Sequence, residues 1–380
     1  MSAPLIIIGS GFAAYQLIKT LRRQQSDIAI QVITTDAGDE YNKPDLSHVF
    51  TRNQSANDLV ALSGALFSEQ YQVSLVPHTR VESIDTQARC VLASGQRYPY
   101  SKLVLATGAQ TFIPTVAGNA AADVLTLNSL QEYRDAQQRI AQSERILIMG
   151  GGLIGVELAM DLIAAGKQVR IVETHSHMLA NLMPHFVASS LEQQLLKEGV
   201  KMEFTSHVTA INRNPSGLVV STAQGRIHEV DCIISAAGLS PNTRLAKQAG
   251  IAVNVGVLVD KQLKTSVADI YALGDCAEID GKVMSFLQPI VLSANILAKQ
   301  LLSEPAELNL PAMMVKVKTP NYPIQLGGHF SATSNWQVNF TTQGLTAKAY
   351  NSEQKLTGFV VTRDCVNQAF PLLREVQLTQ

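Results

Sequence analysis

The chain carries the same short pattern twice, and this repeat limits the folds open to it more than any other feature. Residues 4–14 read PLIIIGSGFAA, and residues 146–156 read ILIMGGGLIGV. Each copy is an apolar run, then a Gly-x-Gly turn, then apolar residues at helical spacing. The pattern predicts a β-strand that turns sharply into an α-helix, which is the opening unit of a dinucleotide-binding α/β fold.

The residues around each turn are the first candidates for a binding site. In such a unit the glycines permit the turn, the approach of a pyrophosphate and close helix packing, and the free N–H groups at the helix start bind the phosphates. The candidates in the first copy are Gly9, Ser10, Gly11, Phe12, Ala13 and Ala14, and those in the second are Gly150, Gly152, Leu153, Ile154 and Gly155.

A second predicted strand follows each helix and ends in an acidic residue. Asp36 lies 22 residues after Ala14, and Glu173 lies 18 residues after Gly155. An acid at this point of the fold hydrogen-bonds the ribose hydroxyls of a bound nucleotide. Glu173 would repel a 2′-phosphate, and residues 174–178 contain no Lys or Arg, so NAD is favoured over NADP.

The composition excludes several classes of protein. Of 380 residues 46% are hydrophobic and 16% charged, with a formal net charge of −1, so we expect a soluble globular chain of two or three domains without a nucleic-acid partner. The sequence has no run of about 18 apolar residues and no basic signal region, so we expect no membrane span or secretion. Dispersed cysteines and histidines predict a cytoplasmic protein with no disulfide and no metal site.

Further motifs connect the two repeats. Residues 101–109 read SKLVLATGA and residues 268–279 read ADIYALGDCAEI. With the two glycine turns in this order, the chain resembles the pyridine nucleotide-disulfide oxidoreductase superfamily, and in particular its rubredoxin reductase branch. The resemblance implies an α/β, glutathione-reductase-like fold with two Rossmann-like domains and a C-terminal α+β interface domain. The implied boundaries are 1–110 and 230–305 for a discontinuous FAD-binding domain, 111–229 for an NAD-binding domain and 306–380 for the interface domain.

The resemblance also implies cofactor roles for individual residues. The first turn and Asp36 would bind FAD, and the second turn would bind NADH together with Glu157 and Glu173. Further FAD contacts are expected from Val81 through its backbone, Thr107, Gly108, Gly274, Asp275 and Lys318, with Lys316 as the alternative to Lys318.

The stretch YNKPDLS at residues 41–47 indicates where the electrons go. The resemblance places Lys43 and Glu157 beside the flavin as the catalytic pair, where a cation stabilises a reduced, anionic flavin. Related thiol enzymes carry cysteine near Lys43, whereas residues 37–60 contain none. We therefore expect hydride transfer from NADH to FAD and then electron transfer to an external acceptor.

The implied partner is a rubredoxin-like iron protein or flavorubredoxin, which would connect the chain to nitric oxide detoxification. Residues 311–380 carry six Lys or Arg and three acids. Ordinary surface charge is the first explanation of this excess, and steering of an acidic protein partner is the functional alternative. Two alternatives stay open: an NADH-dependent reductase of ferredoxin or free rubredoxin, and a non-enzymatic sensor that binds FAD and NADH. The tail FPLLREVQLTQ is short and charged, which argues against a membrane quinone reductase.

Overall fold

The computed structural model describes residues 3–319, 321–331, 333–342 and 344–379. Residue 379 is described by its backbone alone. The chain divides into two compact units. The first unit comprises Met1–Lys43, Ala56–Gln110 and Leu239–Leu310, and the second comprises Pro44–Ser55, Thr111–Gly238 and Pro311–Gln380. Each unit is described by itself below.

Helices are interspersed with strands along the chain. The α-helices of the described residues are α1 (Phe12–Arg23), α2 (Gly64–Tyr71), α3 (Leu130–Gln142), α4 (Leu153–Ala164), α5 (His185–Glu198), α6 (Arg244–Gln248), α7 (Leu287–Leu301) and α8 (Ala369–Thr379). Short 3-10 helices are formed by Lys43–Ser47, Asn57–Leu59, Ala121–Asp123 and Arg363–Gln368. Among these helices of the described residues, none combines the length and apolarity that crossing a bilayer requires.

The strands fall into several sheets. Up to the middle of the chain they are β1 (Leu5–Ile8), β2 (Ile30–Ile33), β3 (Glu40–Tyr41), β4 (Val60–Leu62), β5 (Ser74–Val76), β6 (Val81–Asp85), β7 (Cys90–Ala93), β8 (Gln96–Pro99), β9 (Lys102–Leu105), β10 (Ala109–Thr111), β11 (Arg145–Met149), β12 (Gln168–Val172) and β13 (Lys201–Glu203). The remaining strands are β14 (Val208–Asn214), β15 (Gly217–Thr222), β16 (Ile227–Val230), β17 (Cys232–Ser235), β18 (Leu239–Pro241), β19 (Val257–Val259), β20 (Ile270–Ala272), β21 (Ala277–Ile279), β22 (Met314–Val317), β23 (Ile324–Gly328), β24 (Asn335–Thr341), β25 (Gly344–Tyr350) and β26 (Leu356–Thr362).

A parallel sheet with the order β20-β9-β1-β2-β5 organises the first unit. All four residues of β1 are buried, as expected for a central strand covered on both faces. On one face of the sheet, Leu17 and Leu21 of α1 join the same apolar core as Ala294 and Leu297 of α7. The same unit also contains the antiparallel sheet β6-β7-β8 and the two-stranded sheets β3-β4 and β19-β21. Since β1, β9 and β20 are parallel, the segments that follow them lie at one edge of the sheet.

The second unit contains a parallel sheet of its own, with the order β13-β12-β11-β17. The sequence predicts that the chain returns to the FAD-binding domain at residue 230, which would place β17 in that domain. In the structure, β17 pairs with β11 of the second unit, and Ile146 lies opposite Cys232. We propose that the return falls near residue 239, where the first unit resumes; the other domain boundaries stay predictions.

The C-terminal part of the second unit is an antiparallel sheet covered by a helix. The strand order is β22-β23-β26-β25-β24. Phe359 and Val361 of β26 pack with Leu372 and Val376 of α8 in one buried cluster. The predicted fold class is confirmed: the chain has two Rossmann-like parallel sheets and a C-terminal α+β part.

Candidate functional site

The first glycine turn joins β1 to α1 in the first unit. Gly9 has a φ of +110°, and a side chain there would overlap the carbonyl oxygen of Ala106 just after β9. Gly274 has a φ of +82°, and its Cβ would lie 2.7 Å from the Cβ of Ala13. Glycine is therefore required at both positions so that the chain can pack closely on itself.

The start of α1 has the free space that a bound dinucleotide needs. At Gly11, the N-cap of α1, no described atom lies within 4 Å of the position that a Cβ would take. The N-caps of helices α2 and α3 are Ser63 and Ser129, whose hydroxyls accept hydrogen bonds from N–H groups of the first helical turn. Gly11 offers no such acceptor, so the first N–H groups of α1 stay available for phosphates. This turn therefore fits the FAD pyrophosphate.

The carboxylate of Asp36 is held at the expected end of β2. One of its oxygens, Oδ1, accepts hydrogen bonds from Ser10 Oγ at 2.8 Å, Thr34 Oγ1 at 2.8 Å and Gly38 N at 2.9 Å. Within the described chain the other oxygen, Oδ2, receives no hydrogen bond. The carboxylate is thus fixed in place and keeps one acceptor for an outside donor such as a ribose hydroxyl.

The Ala-Thr-Gly segment after β9 is fastened to a second loop of the same unit. Thr107 Oγ1 donates to the carbonyl oxygen of Asn242 at 3.0 Å, and Asn242 Nδ2 donates to the carbonyl oxygen of Thr107 at 2.8 Å. Asn242 N also donates to the carbonyl oxygen of Gly108 at 3.0 Å. Thr107 and Gly108 therefore lie in a rigid turn at the same edge of the sheet as Gly9.

Lys43 forms an ion pair with Asp275 in the first unit. The Lys43 Nζ to Asp275 Oδ2 distance is 3.4 Å, and the two side chains are 34% and 13% exposed. Asp275 follows Gly274 in the turn after β20. Two residues that were predicted separately, one as catalytic and one as an FAD ligand, are therefore direct neighbours.

The second glycine turn repeats the first one in detail. Gly150 has a φ of +109°, and a side chain there would overlap the carbonyl oxygen of Ala236. A side chain at Gly155 would overlap the carbonyl oxygen of Gly150. In contrast, apart from its chain neighbours no described atom lies within 4 Å of a Cβ at Gly152, the N-cap of α4. The open position and the uncapped helix start fit a second pyrophosphate.

Glu173 is buried at the end of β12 and accepts hydrogen bonds from its own chain. Oε2 accepts from Gly151 N, and Oε1 accepts from His175 N at 2.7 Å, His175 Nδ1 at 2.7 Å and Thr174 Oγ1 at 3.0 Å. Burial by itself raises the pKa of this carboxyl, but the hydrogen bonds, led by those from the backbone of His175 and Gly151, outweigh it and lower the pKa. Glu173 is therefore an ionised, well-oriented acceptor.

Glu157 is buried in α4 and joins three segments of the second unit. Ser47 Oγ donates to Oε2 at 2.8 Å, and the backbone N of Lys318 donates to Oε1 at 2.8 Å. His48 Nε2 lies 3.6 Å from Oε2, too far for a hydrogen bond. Burial, reinforced by the nearby Lys318, lowers the pKa of His48 although Glu157 opposes this shift. His48 is therefore neutral near pH 7.

One turn further along α4, Asp161 holds the same segment. Its Oδ2 accepts from Phe50 N at 2.7 Å, and Thr51 Oγ1 donates to its carbonyl oxygen at 3.0 Å. Residues 44–55 are thereby attached to α4 by two buried acids four residues apart, Glu157 and Asp161.

The predicted residues separate by unit. The expected FAD contacts, apart from Lys318, all belong to the first unit, and the expected NAD contacts belong to the second. Val81 is buried in β6, Ile154 is 45% exposed at the start of α4, and the Lys318 side chain lies 3.9 Å from Asp45. The assignment of each residue to a cofactor stays a prediction.

Sequence reasoning missed three residues that hold these sites together: Ser47, Asp161 and Asn242. A local signal existed for Asp161. Two acids four residues apart within the otherwise apolar helix LIGVELAMDLIA share one helix face, and buried carboxylates require partners. Asn242 had no comparable signal, because its partners are 135 residues away in the chain.

Comparison with known proteins gives consistent results. Residues 3–291 match the family described as pyridine nucleotide-disulphide oxidoreductase, and residues 307–376 match the rubredoxin binding C-terminal domain. The chain is 56% identical over 380 residues to the nitric oxide reductase FlRd-NAD(+) reductase of Aliivibrio fischeri, with 100% of both chains covered. The protein of the same name from Escherichia coli O81 is 46% identical over 379 residues, again with 100% of both chains covered.

A solved structure of similar fold is the ferredoxin reductase for the CYP199A2 system from Rhodopseudomonas palustris. It is 25% identical, has a TM-score of 0.89 and matches over 100% of this chain and 96% of its own. The family match covers most of the sequence and includes both glycine turns. The chain therefore belongs to the pyridine nucleotide-disulphide oxidoreductase family.

Proposed function

We propose that the protein is a flavoenzyme that oxidises NADH and passes electrons to the rubredoxin-type iron centre of flavorubredoxin, in the removal of nitric oxide. The relatives named above carry this activity in their names and match over the full length. The match of residues 307–376 to a rubredoxin binding domain supports the same class of partner.

The placement of the thiols is the structural observation that carries the proposal. Cys90, Cys232, Cys276 and Cys365 are the four cysteines of the sequence, and each is free and buried. Burial raises the pKa of Cys232 to about 11 and also raises the pKa of Cys276. Protonated, enclosed thiols are poor nucleophiles and poor electron relays. Electrons that reach the flavin therefore pass to an external acceptor.

The chain's own residues bind and orient the two nucleotides. In the first unit, the start of α1 would hold the FAD pyrophosphate, Asp36 the adenosine ribose, and the Lys43–Asp275 pair would supply charge next to the ribityl side of the site. In the second unit, the start of α4 and Glu173 would hold NADH. When bound, FAD accepts a hydride from the nicotinamide and releases electrons singly, which suits an iron centre.

Glu157 is suited to positioning rather than to proton transfer. Its two oxygens are fixed by Ser47 Oγ and by the backbone of Lys318, each at 2.8 Å. A buried carboxylate with satisfied oxygens keeps its place while its surroundings change. We assign it the task of holding residues 44–55 and the Lys318 segment against α4.

Anaerobic turnover with three acceptors tests the proposal. FAD-loaded protein and NADH are mixed with a rubredoxin, a [2Fe–2S] ferredoxin or a small disulfide, and acceptor reduction is followed by absorbance. We expect the highest kcat/KM with the rubredoxin centre and the least turnover with the disulfide. Strong disulfide or oxygen reduction without rubredoxin reduction would contradict the proposal.

Ferredoxin reduction is the second candidate, favoured by the fold match to a ferredoxin reductase at 25% identity. The same assay separates the two, because a higher kcat/KM with the [2Fe–2S] protein would support this candidate instead. A cytoplasmic location is part of the main proposal and is supported by the four free thiols, which persist in a reducing compartment.

A further inference from the structure

A cavity in the second unit plays no part in the proposed function. Its volume is about 180 Å³, enough for several water molecules or for one small polyatomic ion. Helix α5 forms one wall, with Ser190, Gln193 and Lys197. The C-terminal part forms the other, with Tyr322 ahead of β23, the β24–β25 hairpin and Arg363 after β26. A ligand in this cavity would therefore contact both α5 and the C-terminal sheet.

The cavity is lined by two cations and, among the described residues, by no acid. Lys197 lies in the last turn of α5, and Arg363 directly follows β26. Neither side chain has a hydrogen-bond or ion-pair partner within the part of the chain that the structure describes. Two like charges at one cavity repel each other, and walls of one sign concentrate counter-ions. The lining thus favours an anion.

The acids next to these cations in the sequence do not neutralise them. Glu198 Oε1 accepts hydrogen bonds from Gln194 Nε2 at 2.8 Å and from Asn321 Nδ2 at 2.9 Å. These bonds attach the end of α5 to the turn between β22 and β23. Within the described chain, neither Glu198 nor Asp364 lines the cavity. Both positive charges therefore stay available to a ligand.

The backbone of Arg363 is held in a conformation that residues other than glycine rarely adopt. Its φ is +52°, and its N donates to the carbonyl oxygen of Pro323 at 2.7 Å. Just before it, Thr362 Oγ1 accepts a hydrogen bond from Leu345 N at 3.0 Å. A strained residue persists only where its surroundings determine its position. Arg363 therefore extends from a fixed backbone and not from a free loop.

Neutral donors on α5 add to the lining. Ser190 supplies a hydroxyl and Gln193 a side-chain amide. Neither group has a hydrogen-bond partner among the residues that the structure describes. Positive charge combined with neutral donors suits the oxygen atoms of a phosphate better than it suits a spherical ion such as chloride.

We propose that Lys197 and Arg363 form a binding site for a small multivalent oxyanion, of the phosphate or diphosphate class, between α5 and the C-terminal sheet. The planar guanidinium can donate two parallel hydrogen bonds to one phosphoryl group, and the ammonium adds a second positive charge. A bound anion links α5 to the C-terminal sheet. None of the residues assigned to FAD or NADH is among the described residues that line the cavity, so the inference does not depend on the proposed function.

Titration calorimetry with inorganic pyrophosphate tests the inference in the FAD-loaded protein. ADP-ribose is present in excess, so that the start of α4 is not open to the probe. We expect one pyrophosphate to bind per chain, inorganic phosphate to bind more weakly, and nitrate, a monovalent oxyanion at the same ionic strength, to bind least. Urea unfolding gives an independent readout, because an anion that binds only the folded chain raises the free energy of unfolding.

Three substitutions at the cavity make the test specific. Lys197→Gln and Arg363→Asn each remove one charge, and Asn tolerates the left-handed backbone at residue 363. Each should weaken pyrophosphate binding at least about fivefold, and the double variant should abolish it. Gln193→Phe keeps both charges but fills space in the cavity, so it should weaken binding as well. Lys201→Gln is the matched control, since Lys201 is exposed on β13 of the same unit and is not among the described lining residues; it should bind like the parent protein.

Trp336 shows whether the variants keep the fold around the cavity. It is the one tryptophan of the sequence and lies on β24, with its ring centroid 5.5 Å from that of Phe186 on α5. Both α5 and β24 contribute to the walls of the cavity. An unchanged tryptophan emission spectrum in a variant therefore means that this packing is retained, and a loss of binding can then be assigned to the substituted side chain.

Two sets of outcomes would overturn the inference. Equal affinity for pyrophosphate in the parent protein and in the double variant would show that these cations hold no anion, and so would the absence of binding by the parent protein. Unchanged affinity in Gln193→Phe would place the anion on surface charge outside the cavity.

Discussion

Two acidic side chains on α4 show how single residues connect distant parts of the sequence. Glu157 receives a hydrogen bond from Ser47, 110 residues away, and Asp161 receives one from Phe50, 111 residues away. Both carboxylates are buried. Removing the donor of a buried carboxylate lowers the free energy of unfolding by more than the net contribution of the hydrogen bond, because the charge is left desolvated and unpaired. Substitutions that remove the hydrogen-bond donors of these buried acids should therefore destabilise the protein more than substitutions of exposed charged residues.

Substitution of Lys43 tests its predicted role next to the flavin. Lys43→Met leaves Asp275 without its cation, so the site gains net negative charge and reduced flavin is disfavoured. We expect FAD to stay bound and flavin reduction by NADH to slow roughly tenfold, less than for a fully buried stabilising group, because Lys43 is partly exposed. Stopped-flow reduction and the flavin midpoint potential are the measurements.

The control for this experiment is Lys355→Met, which removes an exposed ion pair with Glu353 at 2.9 Å. It should alter neither quantity. An unchanged potential and rate in Lys43→Met would exclude this lysine from the flavin environment.

His48 predicts a pH dependence of stability. Burial, together with Lys318 and Arg52, lowers the pKa of its imidazole below the ordinary value of 6.5, against the opposing effect of Glu157 and Asp161. Below that value the unfolded chain therefore binds a proton that the native protein excludes, and stability is lost as the pH falls through this window. His48→Gln should lose less stability than the parent between pH 7.5 and pH 5.5, as measured by urea unfolding.

The exposed His78 provides the comparison, because His78→Gln should follow the parent protein at both pH values. Equal losses in His48→Gln and in the parent would mean that His48 does not titrate differently on folding.

At the scale of elements, some glycines of the turns are needed for close packing and others leave space for a bound nucleotide. Gly155→Ala places a methyl group on the carbonyl oxygen of Gly150 and should cost roughly 1–3 kcal/mol of unfolding free energy. Gly152→Ala meets no described atom within 4 Å and should cost about 0–1 kcal/mol as an altered N-cap. It should nevertheless weaken ADP-ribose binding at least about tenfold, by blocking the approach of the pyrophosphate.

Urea unfolding and calorimetry on both variants separate these two effects. Strong ADP-ribose binding by Gly152→Ala would show that the phosphates do not approach the start of α4.

The same elements show what sequence could predict. The strand, turn and helix of both repeats are encoded locally, by runs rich in β-branched residues and by Gly9 and Gly150, whose φ is positive, and they lie where they were expected. The packing of residues 44–55 onto α4 was not predictable, because no local pattern identifies Ser47 as the partner of Glu157. The pairing of β17 with β11 was not predictable for a similar reason: a buried apolar strand suits either of two parallel sheets.

At the scale of the whole molecule, charge is unevenly distributed. The formal net charge is −1, whereas residues 311–380 carry Lys316, Lys318, Lys348, Lys355, Arg363 and Arg374 against Glu353, Asp364 and Glu375. A region with excess positive charge attracts an acidic partner by long-range electrostatics, and dissolved salt screens this attraction. The association of the proposed iron-protein partner should therefore depend on ionic strength.

We expect kcat/KM for rubredoxin to fall roughly threefold to tenfold between 50 mM and 500 mM salt, with little change for ferricyanide. Lys316→Glu should reduce it more than Lys355→Glu, because Lys316 is exposed and Lys355 is already paired with Glu353. Equal effects of the two variants, or no salt dependence, would contradict steering by this region.

Residues 44–55 belong to the second unit, and this affects which fragments of the protein can fold. A recombinant fragment of residues 111–238 would contain Glu157 and Asp161 but neither Ser47, Phe50 nor Lys318, so both acids would lose donors that the full chain supplies. Cutting at the apparent repeat boundaries would thus yield an unstable piece. The smallest fragment that we expect to fold with α4 intact joins residues 44–55 and residues 311–380 to residues 111–238.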